Sequence, residues 1–453
     1  MIERNYHSVV LDREKCKGCT NCIKNCPTEA IRVRDGKAKI LEDRCIDCGE
    51  CIRICPQHAK LAKTDELSIL NNFRYRVVIP APSLYGQFKE YMNPEKILMG
   101  LKKMGFDEVY EVALAAENVS IAVQRYLSKK NNPKPGISSA CPAVVRLIQV
   151  RFPDLIKNIV PIKAPIEIAA KKAREKIKKE KGFKDDEIGV FFITPCPAKV
   201  TSIKSPVGAK TSFINGAFSV SQIYGDLLKN IKSVKESDLD GTLQKASGLG
   251  VGWGRSGGEN KALAMGNTLS VDGIHNVIEV LEEVEMGRLK DIDFIEAQAC
   301  IGGCVGGALM VEKQVIARTR LRKLSETLAQ NFAVDEYVVL KEYDNNYYFM
   351  TEKIEPKHVM KLDEDIAKAI EKMELLEKTL ERLPGLDCGS CGSPNCRALA
   401  EDIVRGIASE NDCVFVLREK VKELAEEMLE LSKRLPPAMG DGDFNRKGEK
   451  NET

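Results

Sequence analysis

The sequence predicts an α/β core with mixed or parallel sheets, a small cysteine-rich α+β domain before it, and a helical, coiled-coil arm after it. Three observations predict this. Sixteen cysteines fall into four quartets, two near the N-terminus, one spread through the middle and one near the C-terminus. Short β-branched runs alternate with helical stretches from about Arg76 to Ile354, as in layered α/β domains. Apolar residues recur at heptad spacing in two segments after residue 361, the mark of coiled-coil helices. The expected boundaries are 1–64, 76–335, a β-hairpin at 336–352, a helix at 353–383, a metal module at 384–413, a second helix at 414–437 and a disordered tail at 438–453.

Composition narrows the setting. No apolar run approaches the roughly 18 residues a spanning helix needs, so no membrane insertion is expected. The start, Met1-Ile2-Glu3-Arg4-Asn5-Tyr6-His7, is polar and reads as no signal peptide. A cytoplasmic protein is expected, in which closely spaced thiols are metal ligands rather than disulfides. The formal net charge of +3 is too small to argue for nucleic acid. Four cubane clusters, each carrying about −2 with its thiolates, would turn it negative.

The first domain is an internal repeat. Cys16-x2-Cys19-x2-Cys22-x3-Cys26-Pro27 recurs 29 residues later as Cys45-x2-Cys48-x2-Cys51-x3-Cys55-Pro56. Three thiolates from one tight loop reach three irons of one cubane, and the fourth cysteine of each run crosses to the other cluster. Cys16, Cys19, Cys22 and Cys55 are thus assigned to one [4Fe–4S] cluster, and Cys26, Cys45, Cys48 and Cys51 to a second. Zinc sites are the competing reading, but they rarely use this doubled pattern. Residues 8–62 resemble bacterial two-cluster ferredoxins, and two adjacent clusters form an electron wire.

In the central region Val77-Val78-Ile79, Val109-Tyr110-Glu111-Val112 and Ile188-Gly189-Val190-Phe191-Phe192-Ile193 read as strands, with a helix at 94–104. Only Cys141, Cys196, Cys300 and Cys304 lie here, each in a loop rich in Pro or Gly. Distant loops that each deliver a soft ligand suggest one buried metal site. Gly302, Gly303, Gly306 and Gly307 are expected to leave room for a bulky cofactor.

Three segments carry a resemblance. They are Ser138-Ser139-Ala140-Cys141-Pro142, Thr194-Pro195-Cys196-Pro197-Ala198-Lys199 and Ala299-Cys300-Ile301-Gly302-Gly303-Cys304. Together they look like the signature motifs of the [FeFe]-hydrogenase catalytic domain, over roughly residues 76–325. The resemblance implies that Cys141, Cys196, Cys300 and Cys304 hold a cubane and that Cys304 bridges to a diiron centre carrying CO, cyanide and a dithiolate. The whole is the H-cluster. It implies that Lys199 hydrogen-bonds a cyanide, and that Ala81-Pro82-Ser83 forms a cyanide-contacting loop.

The departures from that family matter as much. Active members have a proton-passing cysteine where this chain has Ala140. Residues 118–140 contain no Asp or Glu, so the family's upstream glutamate relay is missing. Thr194 and Gln298 stand where methionines flank the cofactor. A base must lie within hydrogen-bond reach to split H2 heterolytically, and alanine is none. Low turnover is expected. Glu259, in Ser256-Gly257-Gly258-Glu259-Asn260, is a candidate relay; a solvated helix-start glutamate is the plainer reading. Gly252-x-Gly254-x-x-Gly257 fits a dinucleotide pattern but lacks a clear preceding strand. Lys171 to Lys179 forms a basic amphipathic helix with Ile166, Ala170, Ala173 and Ile177 inward, read as a solvated face or as a docking surface for an acidic partner. None of His7, His58, His275 and His358 is assigned as a ligand.

In the arm, Tyr337–Tyr343 and Tyr347–Thr351 read as a hairpin around Asp344-Asn345-Asn346. Leu362, Ile366, Ala369, Met373, Leu376, Leu380 and Leu383 form one heptad seam, and Leu417, Val421, Leu424, Met428, Leu431 and Leu435 another. Between them lies Cys388-x2-Cys391-x4-Cys396-x16-Cys413. It resembles the single-cluster module of corrinoid iron–sulfur proteins and of an electron-transport complex subunit. Each seam must be covered, which predicts a homodimer or a partner contact.

The combination resembles the sensory [FeFe]-hydrogenases that end in a cluster module rather than a PAS domain. It implies four [4Fe–4S] clusters, a diiron subcluster, H2 and protons as substrates, slow H2:acceptor oxidoreductase activity, and a redox or signalling partner. Two other readings fit the same residues. One is a non-catalytic electron-transfer or cluster-assembly protein without the diiron centre. The other is an ordinary electron-transferring hydrogenase subunit.

Overall fold

The computed structural model describes residues 6–89, 93–129, 131–359 and 361–434. The chain forms two compact units, residues 1–360 and 361–453. The tail expected to be disordered at 438–453, with Leu435, Pro436 and Pro437, lies outside the described residues.

The first unit has eleven strands among the described residues: β1 (Val9–Leu11), β2 (Ile31–Arg34), β3 (Lys37–Ile40), β4 (Lys60–Ala62), β5 (Tyr75–Pro80), β6 (Glu108–Val109), β7 (Gly136–Ile137), β8 (Ile188–Thr194), β9 (Gly216–Ser219), β10 (Thr268–Asp272) and β11 (Phe294–Gln298). In the cysteine-rich domain, β1 pairs antiparallel with β4. β2 and β3 form a hairpin around Asp35-Gly36, both with positive φ, as a two-residue Asp-Gly turn requires. Ile23, Ile31, Ala38 and Ala59 make its small core.

Two parallel sheets build the α/β domain, in orders β6-β5-β8-β9 and β10-β11-β7. All seven residues of β8 are buried, as expected of a central parallel strand covered on both faces. Phe191 on β8 stacks on Phe218 at 5.7 Å and meets Phe73 edge-on at 5.6 Å. Replacing Phe191 with alanine should cost about 3–5 kcal/mol, the range for emptying a buried aromatic site. Urea unfolding checks this through a lower midpoint at unchanged slope. The basic helix spans Pro165–Lys181, and Ile166, Ala170, Ala173 and Ile177 are all buried. Three of its outer lysines have acidic partners within the chain, while Lys179 and Lys181 are exposed. Lys172 pairs with Glu342 at 2.8 Å, Lys176 with Glu108 at 2.7 Å and Lys178 with Asp185 at 3.5 Å.

Three expectations need correction. The hairpin at 336–352 is instead a helix, Glu336–Asp344, followed by irregular chain. Asp335 caps it by accepting from Tyr337 N at 2.9 Å and Val338 N at 3.4 Å. Val339 and Tyr343, one helical turn apart, are buried, so packing overrides the strand preference of Tyr and Val. The run Val109–Val112 is strand only to Val109, and Val112 begins the helix Val112–Leu127. In the second unit the first helix begins at Ile366, capped by Asp365, rather than near 353.

The second unit contains helices Ile366–Arg382, Cys396–Val404 and Val414–Lys433. Leu376 and Leu383 leave the proposed seam to pack with Cys396, Leu399, Ala400 and Cys413. Leu417, Val421, Leu424, Met428 and Leu431 are exposed along one helix.

Candidate metal centre

The parallel sheets dictate where the site forms. β5 leads to Ala81-Pro82, β7 to Ser138–Cys141, β8 to Cys196, and β11 to Cys300 and Cys304. Ligands in open α/β sheets gather at the carboxyl ends of strands. Cys141, Cys196, Cys300 and Cys304 line one cavity of about 70 Å³, with Ala81, Pro82, Ala140, Lys199, Glu259 and Gln298. Ser83 is fully buried next in sequence and is not among the lining residues.

The donor set fits iron. Burial pushes the Cys304 thiol up to about 11 and Cys196 and Cys300 upward too, although Lys199 or Arg53 pulls the other way. Buried thiols of this kind give up their protons when a metal cation replaces them, and four soft thiolates suit an iron–sulfur cluster. Lys199 is 8% exposed and donates from Nζ to Ala140 O at 3.1 Å. Burial opposes its charge, but the charges of Cys304, Cys196, Cys141 and Cys300 outweigh burial and raise its pKa. Ser83 Oγ and Gln298 Oε1 are buried with no hydrogen-bond partner among the described residues. Buried polar atoms are normally satisfied, so polar capacity is left over beside the cavity, as a diiron centre with polar ligands would need.

Glu259 lies in the first turn of the short helix Gly258–Leu263 but is only 3% exposed, so it is not a solvated glutamate. Ser138 Oγ donates to Glu259 Oε2 at 2.7 Å and accepts from Ala140 N at 3.2 Å. Burial, then the charge of Glu296, holds the Glu259 carboxyl well above the usual carboxylate range. Glu296 in turn accepts from Gly257 N at 3.0 Å, Asn260 N at 2.9 Å and Ser270 Oγ at 3.4 Å. Asn260 and Ser270 also bond each other at 2.6 Å in an exposed setting. Glu259 therefore reaches from the cavity wall toward a second buried acid near the surface.

Of the glycines near Cys304, Gly303 lines the cavity, and the glycines there also allow close packing. A Cβ on Gly303 would sit 2.4 Å from Gln298 Oε1, and one on Gly307 would sit 2.2 Å from Pro195 O. Gly307 thus lets the Cys304 loop pack against the Cys196 loop, and Gly303 lets it pack against Gln298 and Ser256. The apparent dinucleotide pattern has a similar cause, since a Cβ on Gly254 would sit 2.7 Å from Ser83 N.

The N-terminal quartets assemble as the spacing pairs them. Cys16, Cys19, Cys22 and Cys55 line one cavity of about 20 Å³. Cys26, Cys45, Cys48 and Cys51 line another of about 20 Å³. Ala38 N, Ala30 N and Ala59 N donate to the sulfurs of Cys16, Cys26 and Cys55 at 3.4, 3.2 and 3.3 Å. Lys60 lines the first cavity, buried, with no hydrogen-bond partner for Nζ among the described residues. A buried cation is costly alone, and an anionic cluster would offset it. In the second unit Cys396 and Cys413 are buried together, Cys391 packs beside them and Cys388 is exposed. Asp387 Oδ1 accepts from Cys396 N at 2.7 Å.

Two buried acids escaped the sequence reading. Glu111 accepts from Tyr85 Oη, Lys245 N and Ala246 N at 2.7, 2.6 and 3.1 Å. Glu117 accepts from Ser247 N and Ala333 N at 2.7 and 2.5 Å. Both brace the segment entering the Gly248–Gly252 helix, and neither lines the cavity. Their spacing on one helix start gave no sign of such distant partners.

Comparison with known proteins agrees with this geometry. Residues 74–267 and 259–308 match the iron only hydrogenase large subunit, C-terminal domain. Residues 8–56 match a 4Fe-4S dicluster domain, and residues 383–415 match an Fe-S cluster family. Iron hydrogenase 1 of Clostridium pasteurianum is 25% identical over 418 residues, covering 76% of this chain and 72% of that protein. The periplasmic [Fe] hydrogenase large subunit of Nitratidesulfovibrio vulgaris is 24% identical, over 66% of this chain and 86% of that one. A solved [FeFe]-hydrogenase of Chlamydomonas reinhardtii aligns at a TM-score of 0.47 and 16% identity, over 63% of this chain and 95% of that one. No helix among the described residues is long and apolar enough to cross a membrane. With its central domain matched across residues 74–308, this iron–sulfur protein belongs to the [FeFe]-hydrogenase family.

Proposed function

We propose that the chain is a slow hydrogenase that responds to H2 and passes electrons to a redox or signalling partner. One observation carries this reading. The four central cysteines and Lys199 share a buried cavity with Glu259, while Ala140 offers no proton-passing group there. Cys141, Cys196, Cys300 and Cys304 would hold a cubane, with Cys304 also bound to the diiron centre. When bound, that centre supplies the site at which H2 is cleaved to two protons and two electrons. Lys199 holds a fixed positive charge toward it, suited to an anionic ligand such as cyanide. Ala81 and Pro82 add apolar lining to the same cavity. Glu259, backed by Ser138 and Glu296, is the one carboxylic acid lining the cavity among the described residues, and it would carry protons out.

Electrons would leave through the clusters of the two N-terminal quartets, or reach the cluster held by Cys388, Cys391, Cys396 and Cys413. The exposed seam Leu417–Leu431 supports a coiled-coil contact with a second copy or with the listening partner. Visible absorption of purified, matured protein tests the reading. Under H2 the iron–sulfur absorption should bleach over minutes and recover under an oxidant. Unchanged absorption with full iron content would sink it and favour a non-catalytic iron–sulfur protein.

A further inference from the structure

Arg53 links two of the proposed cluster sites directly. It ends the short helix Glu50–Arg53 and lies between Cys51 and Cys55 in sequence. Its Nη1 donates to Cys300 Sγ at 3.4 Å and to Gly306 O at 3.3 Å. Its Nη2 pairs with Glu50, which orients the guanidinium. The surrounding backbone is pressed close. A Cβ on Gly49, whose φ is +80°, would sit 2.9 Å from Ala308 Cβ and 3.1 Å from Pro197 Cγ. The loop bearing Cys48 and Cys51 is therefore the face of the ferredoxin-like domain that meets the segments bearing Cys196, Cys300 and Cys304.

We propose that Arg53 is a positioning and potential-setting residue for the central cluster: it docks the ferredoxin-like domain onto the Cys300 loop and raises the reduction potential of the cluster that Cys300 holds. The proposal rests on the reading that both quartets hold [4Fe–4S] clusters. The sign follows from charge. Reduction adds one electron and makes the cluster more negative by one unit, so a hydrogen bond and a cation at its sulfur favour the reduced form. The guanidinium stays protonated at every working pH. An electron moving from the central cluster to the Cys26, Cys45, Cys48, Cys51 cluster makes the first one unit less negative and the second one unit more. No bond forms or breaks and no proton moves. Glu50 opposes the effect, since it places a negative charge beside the same guanidinium.

An EPR-monitored redox titration of the full chain, produced with its cubane clusters but without maturation of the diiron centre, tests this independently of H2 turnover. The central signal is the one missing in a Cys141→Ala control. Arg53→Gln should keep the iron content of the unaltered chain and lower the reduction equilibrium of that signal at least tenfold, which is 59 mV for one electron. Arg53→Lys, which keeps the charge, should recover most of the shift. Glu50→Gln should move it the opposite way. Arg53→Gln with full iron and an unmoved potential would overturn the proposal, as would Arg53→Lys shifting as far as Arg53→Gln. If Arg53→Gln does not fold, an unmoved potential in Glu50→Gln overturns it. Absence of the central signal from the unaltered chain would be a different failure, that of the cluster reading itself.

Discussion

Replacing Ala140 with cysteine is expected to raise H2 turnover by about 10²-fold or more, the lower end of what a positioned acid–base group supplies. Ala140 lines the cavity with Cys304, Lys199 and Glu259, so a thiol there would face the space assigned to the diiron centre. Its surroundings already suit proton transfer. Ala140 N donates to Ser138 Oγ, and Ser138 Oγ donates to Glu259. Alanine is the one break in this series. Steady-state H2 oxidation with an artificial acceptor, normalised to diiron content, measures the gain. Equal turnover in both proteins would show that proton delivery does not limit the rate, and an ordinary electron-transferring role would then be favoured.

The second large effect is a loss. Glu259→Gln should slow H2 turnover about 10- to 100-fold, since glutamine keeps the shape and can accept from Ser138 but cannot carry a proton. Burial and Glu296 hold the Glu259 carboxyl well above its usual range, so it binds a proton at a pH where exposed glutamates are ionised. The variant should therefore also lose the pH dependence that this carboxyl imposes on the rate. Isotope exchange between H2 and heavy water separates the two roles. A relay loses exchange at full cluster content, whereas a purely structural Glu259 would lose clusters or thermal stability first. Unchanged exchange would remove Glu259 from the proton route.

Much of the site was legible because its information is local. Cys16 to Cys26 and Cys45 to Cys55 carry their own spacing, and the two cavities bring together the same quartets that the spacing pairs. β8 was legible from the apolar run Ile188-Gly189-Val190-Phe191-Phe192-Ile193, which ends at the motif that holds Cys196. What escaped lay in long-range contacts. Glu296 stands 37 positions from Glu259 in the chain, and Arg53 lies 247 from Cys300. No local pattern links either pair. The helix Glu336–Asp344 escaped because Tyr and Val favour strands, while the Asp335 cap that signals a helix start is a single residue. The glycines around Cys304 were only half legible for a related reason: Gly303 does line the cavity, but the close packing was not visible. Their sequence shows that side chains are absent, and only the fold shows that Gln298 and Pro195 occupy the space.

Infrared spectroscopy of the purified, matured chain tests the central claim most directly, because CO and cyanide absorb where no protein group does. Bands of both ligands are expected, shifting when H2 replaces an inert gas and disappearing in Cys304→Ala. A matured chain with its full iron–sulfur content and no such bands would contradict an H-cluster at Cys304.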